Sequence, residues 1–210
     1  MRHAVLASFA LLLAGCGDDR GASSACRLGT DATVLAIGDS ITRGYGADGR
    51  GYPEQLQDLL RASAGRAAVK VVNMGVDGER SDGLLARIDS AIASSAPAVV
   101  LITSGGNDLL RRADEAAVRS NLDTIVQRVR VAGAWPVVFA VPKPSLSAAV
   151  GFASDHELYQ ALADSGTRVI PEVVGDVLED DTLRSDTIHP NASGYARMAQ
   201  AAFDALSECR

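Results

Sequence analysis

The feature that most constrains this chain is an alternation. Short continuous apolar runs are each followed by a stretch whose apolar residues recur at helical spacing. Ala32–Ile37, Val69–Met74, Ala98–Thr103, Trp135–Val141 and Thr167–Ile170 are runs of the first kind, the pattern of strands buried on both faces. Between them, Pro53 opens Glu54–Ala62 with Leu56, Leu59 and Leu60 at helical spacing. Leu84–Ser94 carries Leu84, Leu85, Ile88 and Ile92 on one side, and Glu115–Val131 turns Val118, Leu122, Ile125, Val126 and Val129 inward. The capping-box spacing of Ser154 and Glu157 predicts a helix over Asp155–Ala163, and Asn191 is a good N-cap for a final helix running to about Leu206. Five strands alternating with helices predict a three-layer α/β/α sandwich on a mainly parallel five-stranded sheet. In such sheets ligands sit at the carboxyl ends of the strands, near a topological switch point.

The first thirty residues do not share that pattern. Arg2 and His3 form a short polar start, Ala4 to Leu13 is nearly unbroken apolar sequence, and Leu13-Ala14-Gly15-Cys16 follows. About ten apolar residues are too few to span a bilayer but suit a signal-peptide core. The Leu-Ala-Gly-Cys ending resembles a bacterial lipobox, which assigns residues 1–15 to a lipoprotein signal peptide and Cys16 to lipidation. Gly17 in place of Asp leans towards the outer membrane. Residues 16–30, rich in Gly, Ser, Ala and Asp, read as a tether, leaving 31–210 as one catalytic-sized domain. The chain is expected to be exported and held by lipid on a bacterial membrane, facing the periplasm or cell exterior. With Cys16 lipidated, Cys26 and Cys209 remain, one near each end of the domain. An oxidising compartment permits a disulfide between them, provided the first strand begins and the last helix ends on the same side of the sheet.

Net charge is −6, and no basic run appears. Nucleic acid is therefore excluded as a partner, because phosphate binding needs clustered Lys and Arg.

Chemistry-bearing residues fall just after strands. Ser40 follows the first, in Gly38-Asp39-Ser40. A serine hydroxyl needs a general base, and histidine is the usual one. Beyond His3 the chain offers His156 and His189. His156 falls in the first turn of a capped helix and reads as a partly exposed side chain without a role. His189 lies in Asp186-Thr187-Ile188-His189, a spacing that can fold the carboxylate onto the imidazole Nδ1. Acyl transfer also needs donors for the developing oxyanion. The loop after the second strand supplies Gly78, with Gly75 as the other candidate. Gly105-Gly106-Asn107-Asp108 after the third strand supplies the Asn107 amide.

Taken in order, Gly38-Asp39-Ser40, Gly78, Gly106-Asn107-Asp108 and Asp186-Thr187-Ile188-His189 resemble the four blocks of the SGNH (GDSL-type) hydrolase family. The Val72-Asn73 lead and the Gly-x-x-Ser ending of the second block are similar to its bacterial thioesterase/lysophospholipase/arylesterase branch. The resemblance implies a flavodoxin-like sheet. It also implies Ser40 as nucleophile, His189 and Asp186 as its acid–base partners, and an oxyanion hole from the N–H groups of Ser40 and Gly78 with the Asn107 amide. No metal and no cofactor are implied. The expected activity is a serine esterase acting on a small carboxylic ester or thioester through an acyl-serine intermediate, in a monomer. A carbohydrate O-acetyl esterase is the alternative substrate reading, disfavoured because aromatic residues, the usual sugar platforms, make up only 4% of the chain. A non-catalytic lipid-anchored binding protein on the same fold is the alternative of another class, and it fits poorly with a complete set of site residues. The apolar stretch Pro142–Ala153 either edges the acyl site or serves only packing.

Overall fold

The computed structural model describes residues 26–143 and 154–209. The expected signal peptide, Cys16 and most of the tether lie outside them. Strands β1 (Thr33–Gly38), β2 (Lys70–Gly75), β3 (Val99–Thr103), β4 (Trp135–Phe139) and β5 (Arg168–Ile170) form one sheet in the order β2-β1-β3-β4-β5. Every neighbouring pair is parallel. The helices are α1 (Ser40–Arg43), α2 (Tyr52–Ala62), α3 (Ser81–Ser95), α4 (Gly106–Leu110), α5 (Glu115–Val131), α6 (Glu157–Asp164), α7 (Val173–Glu179) and α8 (Ala192–Leu206).

Both sheet faces are covered, which is why β1 from Val34 to Ile37 and β3 from Val99 to Ile102 are continuously apolar rather than alternating. Val34 and Ala36 of β1 face the side packed by α2, α7 and α8, with Leu56, Leu60, Val174, Met198 and Ala202. Leu35 and Ile37 face the side packed by α3, α5 and α6, with Leu84, Ile88, Leu122, Ile125 and Leu162. The architecture is the α/β/α sandwich expected from the alternation. The edge strand β2 is only half-buried. Its neighbour β1 sits inside the sheet and exchanges register with β2 on one side (Gly38 beside Gly75) and β3 on the other (Gly38 beside Thr103). The chain leaves β1 towards β2 and returns past it to β3, so the switch point lies at the carboxyl ends of β1 and β3.

Cys26 and Cys209 are bonded, with their Cα atoms 4.6 Å apart and 183 positions between them in sequence. The bridge ties the segment before β1 to the end of α8. Of the expected tether, Cys26 packs against the core and Leu28 is buried in it, so residues 26–30 belong with the domain.

Three short helices, α1, α4 and α7, stand where the sequence showed only loop. Several boundaries also shift, most of them by one or two residues, and α3 begins at Ser81, three residues before the expected Leu84. β4 ends at Phe139. The box between Ser154 and Glu157 does not form; α6 begins at Glu157, with His156 as its N-cap accepting from the Leu158 N–H. His156 is accordingly buried, with Nε2 3.4 Å from Glu115, and not partly exposed as expected.

Candidate active site

The site is built on the turn that ends β1. Gly38 has φ +152°, and a Cβ there would overlap the Thr103 carbonyl and crowd the Thr42 hydroxyl, so β1 turns sharply only because this position is glycine. Asp39 then caps α1, its Oδ1 accepting from the Ile41 N–H at 3.0 Å. Ser40 is the first residue of α1, with its N–H at the helix's positive end and its side chain nearly buried.

Ser40 Oγ and His189 Nε2 are 2.9 Å apart. On the other side of the imidazole, Nδ1 lies 2.8 Å from Asp186 Oδ2 and 3.0 Å from Oδ1. Asp186 is held by its own loop, since Oδ1 also accepts the Ile188 and His189 N–H groups, each at 2.8 Å. Partial burial pushes this carboxyl up, but the Ile188 N–H and the imidazole outweigh it and hold Asp186 below the usual range. It is therefore an anion able to hold a proton on Nδ1, leaving Nε2 to accept from the Ser40 hydroxyl. The Tyr45 ring lies against the imidazole, centroids 4.5 Å apart. Tyr45 is fixed from behind by the Tyr195 hydroxyl, which donates to its carbonyl at 3.0 Å.

Around this pair sit the other residues expected from sequence. Asn107, in the first turn of α4, donates one amide hydrogen to the Glu79 carbonyl at 3.1 Å, and its second hydrogen has no acceptor among the described residues. The N–H groups of Ser40 and Gly78 likewise meet no acceptor there, whereas the Gly75 N–H is taken by Asn73 Oδ1 at 3.0 Å. Gly75 has a packing role instead: a Cβ on it would run into the backbone of Arg43.

The side of the site towards β4 is apolar. Leu110, Val141, Pro142, Leu178 and Ile188 line a cleft of about 50 Å³ beside Ser40. Of the apolar stretch Pro142–Ala153 expected at its edge, Pro142 reaches it, beside Val141 just after β4; residues 144–153 lie outside the described part.

Beneath the site is a brace that the sequence reading missed. Arg87 of α3 grips Glu79 with two bonds of 2.6 Å and donates to the Met74 carbonyl at 2.8 Å and the Gly38 carbonyl at 3.3 Å. It thus joins the ends of β1 and β2 to the loop carrying Gly78. Leu84, Arg87, Ile88 and Ala91 share one helix face, and a charge on that buried stripe was the available signal. Asp108 is a second lock, buried and accepting from both the N–H and the hydroxyl of Ser81 at 2.9 Å. Burial, opposed by the Ile41 N–H and reinforced by the charges of Glu79 and Asp108, pushes Asp39 up to about 7.

Comparisons with known proteins give the family. Residues 36–197 match the model of the GDSL-like lipase/acylhydrolase family. The chain belongs to that family. This GDSL-like hydrolase is 32% identical over 179 residues to esterase TesA of Pseudomonas aeruginosa, covering 83% of the chain and 87% of the relative. It is 28% identical over 162 residues to thioesterase 1/protease 1/lysophospholipase L1 of Escherichia coli, covering 76% of each. A crystal structure of TesA superposes with a TM-score of 0.72 at 30% identity, over 83% of this chain and 97% of that one. The GDSL-like hydrolase is thus a serine ester hydrolase on the fold its sequence predicts.

Proposed function

We propose that the protein hydrolyses small carboxylic esters or thioesters by transferring the acyl group to Ser40. His189 Nε2 takes the Ser40 proton as Oγ attacks the carbonyl carbon, while Asp186 holds Nδ1–H and stabilises the imidazolium. The carbonyl oxygen becomes an oxyanion facing the N–H groups of Ser40 and Gly78 and the Asn107 amide. His189 then gives its proton to the departing alcohol or thiol. A water molecule, deprotonated by the same nitrogen, attacks the acyl-serine and releases the acid.

The observation that carries this reading is the unbroken sequence from Asp186 through His189 to Ser40, with 2.8 and 2.9 Å links, opening on an apolar cleft. The cleft is lined by Leu110, Val141, Pro142, Leu178 and Ile188, so it takes the apolar acyl group, with Leu110 and Ile188 exposed at its edge. The same reading places the protein outside the cytoplasm as a monomer, anchored by lipid on Cys16.

Release of p-nitrophenol from esters of increasing chain length, by wild type and Ser40→Ala side by side, tests the proposal. Turnover that falls to background in the variant, with unchanged folding, is the expected result, and the chain-length profile of the wild type chooses between a deacetylase and a longer-chain acyl hydrolase. Turnover that survives in Ser40→Ala refutes the assignment. Failure of a fluorophosphonate to label Ser40 in an inactive wild type would favour the binding-protein reading.

A further inference from the structure

Around the loop carrying Gly78 the charges at the mouth of the site are mostly paired. In and beside the loop carrying Gly78, Asp77 meets Arg43 at 2.6 Å, Asp82 meets Arg80 at 2.6 Å and Glu79 is gripped by Arg87. Arg111, at the C-terminus of α4 and one turn beyond Asn107, is different. Its guanidinium Nη2 lies 3.8 Å from where a Cβ on Gly78 would be, and it makes no hydrogen bond or ion pair among the described residues. Residues 144–153 contain no carboxylate that could pair with it.

Its position is not a matter of a loose loop. The Asn107 amide donates to Glu79, and Asp108 accepts twice from Ser81, so α4 and the loop after β2 are locked to each other. The guanidinium therefore stands beside the oxyanion donors as a cation with its donors free. Adding ordinary bond lengths and an oxyanion contact of about 3 Å places it within roughly 9 Å of the reacting carbonyl. The apolar cleft runs from Ser40 towards Val141 and Pro142 after β4, whereas Gly78 follows β2 on the other side of β1, so the acyl group lies away from the Gly78 loop. The two halves of the substrate must leave the tetrahedral carbon in different directions, so the half on the Arg111 side is the alcohol or thiol.

We propose that Arg111 forms a subsite for an anionic group, a phosphate or a carboxylate, carried on the alcohol part of the substrate a few bonds from the ester oxygen. The inference rests on the esterase reading above and adds which esters the site prefers. Reach limits it: a charge a dozen or more bonds from the carbonyl overshoots the guanidinium. In a protein of net charge −6, a cation with no carboxylate partner among the described residues, beside the oxyanion donors, also gives an anionic ester a local attraction.

Four butyrate esters with the same two-carbon spacing test it, with butyrate release as the assay: those of ethylene glycol phosphate, glycolic acid, ethylene glycol and choline. In wild type, kcat/KM for the anionic esters should exceed that for the neutral glycol ester about fivefold or more, and the choline ester should be slowest. Arg111→Gln should bring the anionic-to-neutral ratio to about 1, and Arg111→Lys should keep most of it. Raising NaCl from 10 to 500 mM should shrink the wild-type ratio and leave that of Arg111→Gln unmoved. A preference shared by phosphate and carboxylate supports a site for charge, and one confined to phosphate supports a site for a phosphorylated alcohol. A wild-type ratio of 1 or below, or a ratio unchanged in Arg111→Gln, overturns the inference while leaving the esterase standing. A wild type that turns over none of the four overturns the esterase reading, and the subsite falls with it.

Discussion

Replacing Arg87 with methionine should cost the protein both stability and rate, and the size of each follows from the brace. Methionine keeps most of the stem and removes every donor. Glu79 is left with its side chain 9% exposed and no cation, near the acidic Asp39 and Asp108, while the Gly38 and Met74 carbonyls lose a donor. Breaking a buried ion pair by removing one partner costs about 3–5 kcal/mol. Arg87 is itself 25% exposed, so water reaches the gap and the lower end, about 3 kcal/mol, is the appropriate figure. For a domain of this size that lowers Tm by about 6–12 °C. Arg87→Met with Glu79→Gln removes the stranded charge and should recover roughly half of the loss. Loosening the loop carrying Gly78 should lower kcat about tenfold with little change in KM, short of the 10²–10³ expected for losing an oxyanion donor outright. Thermal melts followed by circular dichroism, with steady-state hydrolysis of p-nitrophenyl butyrate, measure both. A variant melting within 2 °C of wild type would refute the reasoning, because the pair would then be an exposed one in energetic terms.

Two further outcomes follow from burial and connectivity. The Cys26–Cys209 bridge closes nearly the whole domain into one loop, so Cys26→Ala with Cys209→Ala should destabilise by about 4 kcal/mol and lower Tm by about 8–16 °C; identical melts with and without reductant would contradict this. Asp39 bears on pH. Folded, it keeps its proton up to about pH 7, whereas its unfolded counterpart loses it near 3.8, so the folded state binds the extra proton between those values. The stability it contributes is complete below about pH 4 and is lost as pH rises towards 7. Asp39→Asn, which retains an oxygen to cap α1, should therefore gain in Tm relative to wild type as pH goes from 5 to 8, and a difference that stays flat would place the carboxyl's titration elsewhere.

Sequence and structure agree where periodicity is strong. Glu115–Val131 was legible to the residue because seventeen residues carry a regular stripe with Asp114 positioned to cap it. The central strands were legible because burial on both faces makes them apolar throughout. What escaped was short. α1, α4 and α7 have 4, 5 and 7 residues, too few for a period to declare itself, and they exist through their caps and packing. Asp39 in front of Ser40 was a cap signal that could have been taken. Nothing local announced that His156 rather than Ser154 would cap α6, where it is buried and meets Glu115 of a helix distant in sequence.

The candidate site was more legible than its supports, and the reason is chemical. A nucleophile, a base, its carboxylate and amide donors can each be supplied by few residue types, and Ser40, Gly78 and Asn107 follow strands while Asp186 and His189 lead into the last helix, so identity and position are both restricted. The brace is restricted in position alone. Something must tie the ends of β1 and β2 to the Gly78 loop, yet an ion pair, an amide or tight apolar packing would all serve, and arginine on α3 is one solution among several. Arg111 lies between these cases. Its place one turn after Asn107 is set by α4, while its charge is set by none of the packing around it, since it packs against nothing that demands a cation. A charge that no contact among the described residues requires, held beside Gly78 by a helix that the fold does require, is what the proposed anion subsite would account for.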